Sequence, residues 1–252
     1  MSGSVISRIL IALVATSTLA AALYWGFLRN DRTDPSAGTT VELDFSRLED
    51  GAPPTHFDTG QPAWTSRNNA DPGSNFVIRN GKLTYAPATD GVALATLSTP
   101  DLGAPVSTIG ARWVFEPRGG GAGAVGLYVS TKVQSYLPTV VPPIPIHFVA
   151  TPVNWNLSVK KDDAVDLEVI AAGEFSEPLK VDSATAYEAE LTISGSRVEI
   201  RLPDGGERRV DDARISQWRG NFATFSVWSN HGLVDCVAGF EKIWASSQAV
   251  EQ

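Results

Sequence analysis

The sequence predicts an all-β protein, two antiparallel sheets packed face to face as a sandwich, preceded by a single N-terminal transmembrane helix. Three observations carry that prediction. From Val41 onward, short apolar stretches alternate with polar positions and are punctuated by Gly, Pro, Asn and Asp, a period of two that belongs to strands. The 252 residues are 43% apolar and 9% aromatic, enough to bury one sizeable core. Ahead of that region, Ile9 to Leu28 holds no charged residue, and a helix of that length, at about 1.5 Å per residue, spans roughly the 30 Å of a bilayer core.

Along the chain, residues 1–8 form a short tail that ends on Arg8, and residues 9–28 are the anchor. Tyr24 and Trp25 stand near its far end, ahead of Arg29 and Arg32, where amphipathic aromatics settle at the headgroup layer. Ala20-Ala21-Ala22 would suit a signal-peptide cut, but the apolar run continues through Leu23 to Leu28, which favours a retained anchor. One arginine before the span and two after it tilt the positive-inside count toward a cytoplasmic domain. A short export-like start, and the tendency of long following domains to cross regardless of charge, outweigh that count. The expectation is a single-pass protein of the cell membrane whose C-terminal domain is extracytoplasmic. Residues 29–40, rich in charge, Pro, Gly, Ser and Thr, read as a linker. The β-sandwich domain is expected over 41–246, and 247–252 are a tail.

Within that domain the alternation predicts thirteen strands: Val41–Phe45, Asn75–Ile78, Lys82–Tyr85, Val92–Leu97, Thr108–Glu116, Ala124–Ser130, Ile146–Ala150, Asn154–Lys160, Asp166–Ala172, Ala186–Ser194, Arg197–Leu202, Phe222–Ser229 and Phe240–Trp244. So many strands need two sheets or a barrel. Arg79-Asn80-Gly81-Lys82 and Ser194-Gly195-Ser196 supply the residues of tight hairpins, and one helical turn is expected near Asp211–Gln217. Parity assigns faces. Ile109, Ala111, Trp113 and Phe115 share one side of their strand, as do Val153, Trp155, Leu157 and Val159, and Val198, Ile200 and Leu202. Each large inward side chain contributes about 1.5 to 3 kcal/mol, so the fold needs no disulfide, and the lone Cys236 allows none within the chain. Trp113, Trp155 and Trp244 are expected in the core, and Trp64 and Trp218 against loops.

Charge excludes one partner class. Formal net charge is −8, and beyond residue 32 the chain has 17 basic and 27 acidic residues, or −10, so no nucleic acid is expected as a partner. His56, His147 and His231 are too scattered for zinc spacing. No Gly-x-Ser-x-Gly elbow exists, and Cys236 sits in an apolar run that suits packing. Gly119-Gly120-Gly121-Ala122-Gly123 precedes a strand rather than a helix, so it reads as a hairpin loop and not a phosphate cradle. No cofactor is expected other than calcium, for which the oxygen-rich loops 68–75 and 160–163 are the candidates, although neither has EF-hand spacing. Four prolines stiffen Tyr136–Ile146, a stretch rich in aliphatics that could dock another envelope protein or pack across the sandwich edge.

The opening Val41-Glu42-Leu43-Asp44-Phe45, the run Phe76 to Leu83, the stretch from Tyr187 to Gly205 and the closing Gly239 to Trp244 together resemble the concanavalin A-like lectin/glucanase jelly roll over residues 41–246. That resemblance implies first and last strands lying side by side. It leaves function open, because the fold serves binding, enzymatic and adhesive members. Glucanases with this fold carry a Glu-x-Asp-x-(x)-Glu strand whose alternate carboxylates share a face. The nearest stretch here runs from Ala164 to Ala171. Asp166 and Glu168 share a face in it, but alanine replaces the first Glu and neither Ile170 nor Ala171 supplies the last. No catalytic residue is therefore assigned. Sugar binding requires aromatic faces beside amides and carboxylates, and the positions opposite the core side supply Arg112, Tyr128, His147, Asn154, Asn156 and Trp228 as the expected ligand-binding set. The function expected is a non-catalytic, membrane-anchored module that binds a glycan or a glycan-bearing envelope component. The alternatives are an accessory or assembly subunit of a membrane complex, and a glycoside hydrolase with a degenerate motif.

Overall fold

The computed structural model describes residues 38–67, 75–86, 93–117, 122–131, 145–161, 167–230 and 236–248. Fifteen strands fill these segments: β1 (Thr40–Asp44), β2 (Trp64–Arg67), β3 (Asn75–Arg79), β4 (Lys82–Ala86), β5 (Ala93–Ser98), β6 (Val106–Pro117), β7 (Ala122–Ser130), β8 (Ile146–Ala150), β9 (Asn154–Lys160), β10 (Leu167–Glu174), β11 (Asp182–Ser194), β12 (Arg197–Arg201), β13 (Glu207–Asp211), β14 (Phe222–Asn230) and β15 (Cys236–Ser247). One short helix, α1 (Ala213–Gln217), stands where a single turn was expected; the Asp212 side chain caps it by accepting from the Arg214 N–H. Among the described residues no helix is long and apolar enough to cross a membrane, and residues 9–28 lie outside them.

The strands form two antiparallel sheets. The eight-stranded sheet runs β13-β12-β11-β6-β15-β4-β3, with β1 also pairing β15, and the seven-stranded sheet runs β10-β9-β8-β7-β14-β5-β2. The first strand thus pairs with the last, Thr40 opposite Ser246 and Asp44 opposite Lys242, as the resemblance implies. The β3–β4 hairpin turns on Asn80 and Gly81 at φ 52° and 69°, the left-handed pair that tight hairpins demand.

Between the sheets lies one apolar core. From the eight-stranded sheet come Leu43, Ile109, Trp113, Phe115 and Phe240, and from the seven-stranded sheet Leu127, Phe148, Leu157 and Phe225, each at most 1% exposed. Phe225 and Phe240 meet edge to face across the gap at 6.5 Å, a favourable ring geometry. Trp113 and Trp155 join this core as expected. Trp244 does not. Ile243 and Ala245 on either side of it are fully buried, so the tryptophan stands on the outer face of β15.

Two strands have no apolar alternation in the sequence. β2, Trp-Thr-Ser-Arg, edges the seven-stranded sheet by pairing β5. β13, Glu-Arg-Arg-Val-Asp, pairs β12 with Glu207 opposite Arg201 and Arg209 opposite Glu199. An ion pair between Arg197 and Asp211, opposite each other across these strands, stabilises their pairing, and a charged edge also resists adding another strand. Arg197 donates to the Asp211 carboxylate at 2.9 Å, and this hydrogen bond, seconded by Arg209, lowers the Asp211 pKa.

Candidate functional site

The outer face of the seven-stranded sheet is set by parity. Val125, Leu127 and Val129 of β7, Phe225 of β14 and Leu157 of β9 enter the core, so Gly126, Tyr128, Ser226, Asn156 and Ser158 face away from it. Register lines up one row across five strands: Ser98, Thr224, Tyr128, His147 and Ser158. Four of the residues expected to bind ligand, Tyr128, His147, Asn154 and Asn156, belong to this face. Trp228 belongs to the same sheet, opposite Ala124 in β7.

Tyr128 and His147 lie in the closed centre of that face. The Tyr128 ring lies along β7 over Gly126, where any Cβ would collide with the phenol. Ser226 donates to its hydroxyl at 2.5 Å. Thr96, Ser98, Ser130, Thr224 and Ser226 around it are fully buried, and Tyr128 is 4% exposed. Ser98 and Thr224 share a hydrogen bond of 2.8 Å. His147 stands edge-on to Tyr128, with centroids 4.3 Å apart. It keeps a partly exposed edge, while its Nε2 is buried with no partner among the described residues. Burial pushes the Tyr128 phenol up to about 12, against the opposing Ser226 bond, and pushes His147 down to about 3. Both are therefore neutral at pH 7. Expecting an open sugar platform here overlooked the burial of this polar layer.

Open surface begins at β9 and β10. Asn154 stands opposite Glu174, Asn156 opposite Ala172 and Ser158 opposite Val169, with a register shift between Val169 and Ala171. Thr151 donates to Asn154 Oδ1 at 2.8 Å and Ser158 to Asn156 Oδ1 at 3.3 Å. Both amide oxygens are engaged, which leaves each Nδ2 as a free donor among the described residues. The Glu174 carboxylate has no cationic or hydrogen-bonding partner among them. Together with Trp155, Val169, Ala172 and Gly173 these side chains line a shallow groove of about 430 Å³. Amide donors and a carboxylate acceptor beside exposed Val169 can hold a polyol with one apolar face. Glu174 is not legible from alternation, because it lies beyond the strand predicted to end at Ala172 and the bulge reverses parity beyond Val169.

Arg112 is apart from this set. It lies in β6 of the other sheet, where its Nε donates to Glu241 at 3.0 Å. Glu168, weighed as a catalytic carboxylate, is held by Arg214 at 2.9 Å; Asp166 lies outside the described residues. Cys236 is buried and accepts from the Gly123 N–H at 3.2 Å. Residues 68–74 and 162–163 of the two oxygen-rich loops considered for calcium, together with His231 and residues 136–144 of the proline-rich stretch, lie outside the described residues. Among the described residues no three His, Cys, Asp or Glu side chains converge as a metal site.

No family model matches the chain, and no curated protein matches it in sequence. Solved structures do match it in fold. The carbohydrate recognition domain of Emp47p superposes with a TM-score of 0.57 at 9% identity, covering 86% of this chain and all of that one. The CBM2 module of the evolved Dit of Lactobacillus casei BL23 phage J-1 follows with 0.54 at 12% identity, covering 85% and 99%. Peanut lectin in complex with a 9mer peptide gives 0.53 at 7% identity, covering 85% and 100%. The described residues thus share the two-sheet antiparallel jelly-roll fold of these solved domains.

Proposed function

We propose that this chain is a glycan-binding module, held at the cell membrane by residues 9–28 with its sandwich outside the cytoplasm, and that it receives sugar in the β9–β10 groove. The observation that carries the reading is the open strip of Asn154, Asn156 and Glu174 beside an otherwise closed sheet face, on a fold shared with carbohydrate recognition domains. The uncharged run from Ile9 to Leu28 supports the anchor. The partner is a glycan or a glycan-bearing envelope component.

Binding of the detergent-solubilised full-length chain to a glycan array tests this reading. Asn156→Ala removes an amide donor and Glu174→Gln the carboxylate charge, and each is expected to weaken binding about tenfold, the equivalent of one charge-assisted or well-formed hydrogen bond. Glu174→Gln should leave thermal stability unchanged, while Asn156→Ala lowers it because the buried Ser158 hydroxyl loses its acceptor. Undiminished binding in both variants would refute the site. Absence of any glycan binding, with a membrane protein copurifying in fixed ratio, would favour an assembly subunit instead.

A further inference from the structure

The outer face of the eight-stranded sheet carries a partly exposed tryptophan, Trp244. Trp244 lies opposite Gly110 of β6 and Glu42 of β1. A Cβ on Gly110 would overlap the indole atoms Cε2 and Cζ2, so the ring rests across the glycine. Its Nε1 donates to Glu190 at 2.7 Å. Lys242, tied to Glu42 at 2.9 Å, carries its ammonium over the ring at 6.0 Å from the centroid, at the outer limit of a cation–π contact. The tryptophan is thus fixed on the sheet and partly exposed.

Beside it, sharing Glu190, runs a groove of about 480 Å³ across β11, β12 and β13, lined by Thr192, Glu199, Arg201, Glu207 and Arg209 among others. Register sets these side chains in rows, Glu190-Arg201-Glu207 and Thr192-Glu199-Arg209. Strand spacing of about 4.8 Å places β13 roughly 14 Å from β6, a distance suited to several sugar rings. Three glutamates and three arginines line the groove, so it has no net formal charge in a strongly acidic chain. Glu199 has no partner among the described residues.

We infer that this surface is a second ligand site, separate from the β9–β10 groove, for a neutral pyranose oligosaccharide. One sugar stacks its C–H face on Trp244, and the following units exchange hydroxyl hydrogen bonds with Glu199, Arg201 and Arg209. The cancelled charge disfavours polyanions and polycations alike.

The test is isothermal titration of the detergent-solubilised full-length chain with cellohexaose, mannohexaose and maltohexaose, with trigalacturonate and chitohexaose in its deacetylated form as charged controls. At least one neutral hexaose is expected to bind. Trp244→Ala should weaken that binding about tenfold or more, while Trp244→Phe stays within about threefold. Glu199→Ala, at an exposed position that leaves folding intact, should weaken it about threefold to tenfold. The component lost in these variants should persist when Asn154 and Asn156 are both replaced by alanine. The inference is overturned if no neutral hexaose binds, if a charged control binds more tightly, if Glu199→Ala and Trp244→Ala leave affinity unchanged, or if the double asparagine variant alone removes all binding. That last result would uphold the β9–β10 groove, whereas loss in the Trp244 variants only would remove it and keep this site.

Discussion

Acidification from pH 7 to pH 5 should destabilise the folded chain through His147. Its folded pKa, held near 3 by burial, lies below the ordinary 6.5, so between those values the unfolded chain binds a proton that the folded chain refuses. The stabilising contribution of the neutral ring is complete above pH 6.5. It is lost as pH falls below 6.5, until the folded ring itself takes a proton near pH 3. Each pH unit within that window removes about 1.36 kcal/mol, which amounts to about 2 kcal/mol at pH 5 relative to pH 7. Asp44, Asp182, Asp211 and Asp212 have pKa values held below 3.8, chiefly by hydrogen bonds. Their contributions are lost only at lower pH and leave this window to histidine. Urea unfolding at pH 7, 6 and 5 measures the effect, with His147→Phe as the control. Phenylalanine keeps a ring against Tyr128 and forfeits no Nε2 hydrogen bond, so the variant should match or exceed the parent at pH 7 by about 1 kcal/mol and show a flatter pH profile. A parent whose stability is unchanged between pH 7 and 5, or a slope that persists in the variant, would refute the reasoning.

Three further outcomes follow from the packing and the site. Phe225→Ala removes the ring that meets Phe240 between the sheets and should cost about 3 to 5 kcal/mol in chemical denaturation; a loss below about 1 kcal/mol would mean that the two sheets do not share this contact. Gly220→Ala drives a Cβ into the Ser130 backbone, where no rotamer gives relief, and should lower stability by about 1 to 3 kcal/mol, read as a fall in melting temperature. The proposed glycan binding through Asn154 and Glu174 draws on no cluster of metal-ligating side chains among the described residues and should survive EDTA; loss on chelation with recovery in Ca²⁺ would move the ligand to the oxygen-rich loops at 68–75 or 160–163.

Most of the architecture is legible because one-sided burial leaves a period of two. β8 and β9 fall at Ile146–Ala150 and Asn154–Lys160 by sequence and by structure alike. What is not legible is held by backbone pairing and charge instead of apolar contrast, as in β13, where Val210 is the lone aliphatic. Parity also cannot distinguish an outward residue from an exposed one. Tyr128 faces away from the core and is still buried, His147 beside it is half-buried, and Trp244 looks like core by composition while resting on Gly110 outside it. Arg112 has the right chemistry on the wrong sheet, because strand order is a property of long-range pairing that local pattern does not encode. Glu174 was hidden by a bulge, which inverts the alternation on which the reading depends.

The pairing of β1 with β15 has a practical corollary. Ser247 donates its N–H to the Thr39 carbonyl at 2.9 Å, and Thr39 returns one to the Ser247 hydroxyl at 2.9 Å. Entrance and exit of the sandwich therefore occupy a common corner, and a linker of a few glycines could join them while new ends are opened at the exposed Gly195 hairpin. Any reporter or effector grafted after residue 248 would emerge beside the point where the leading segment enters.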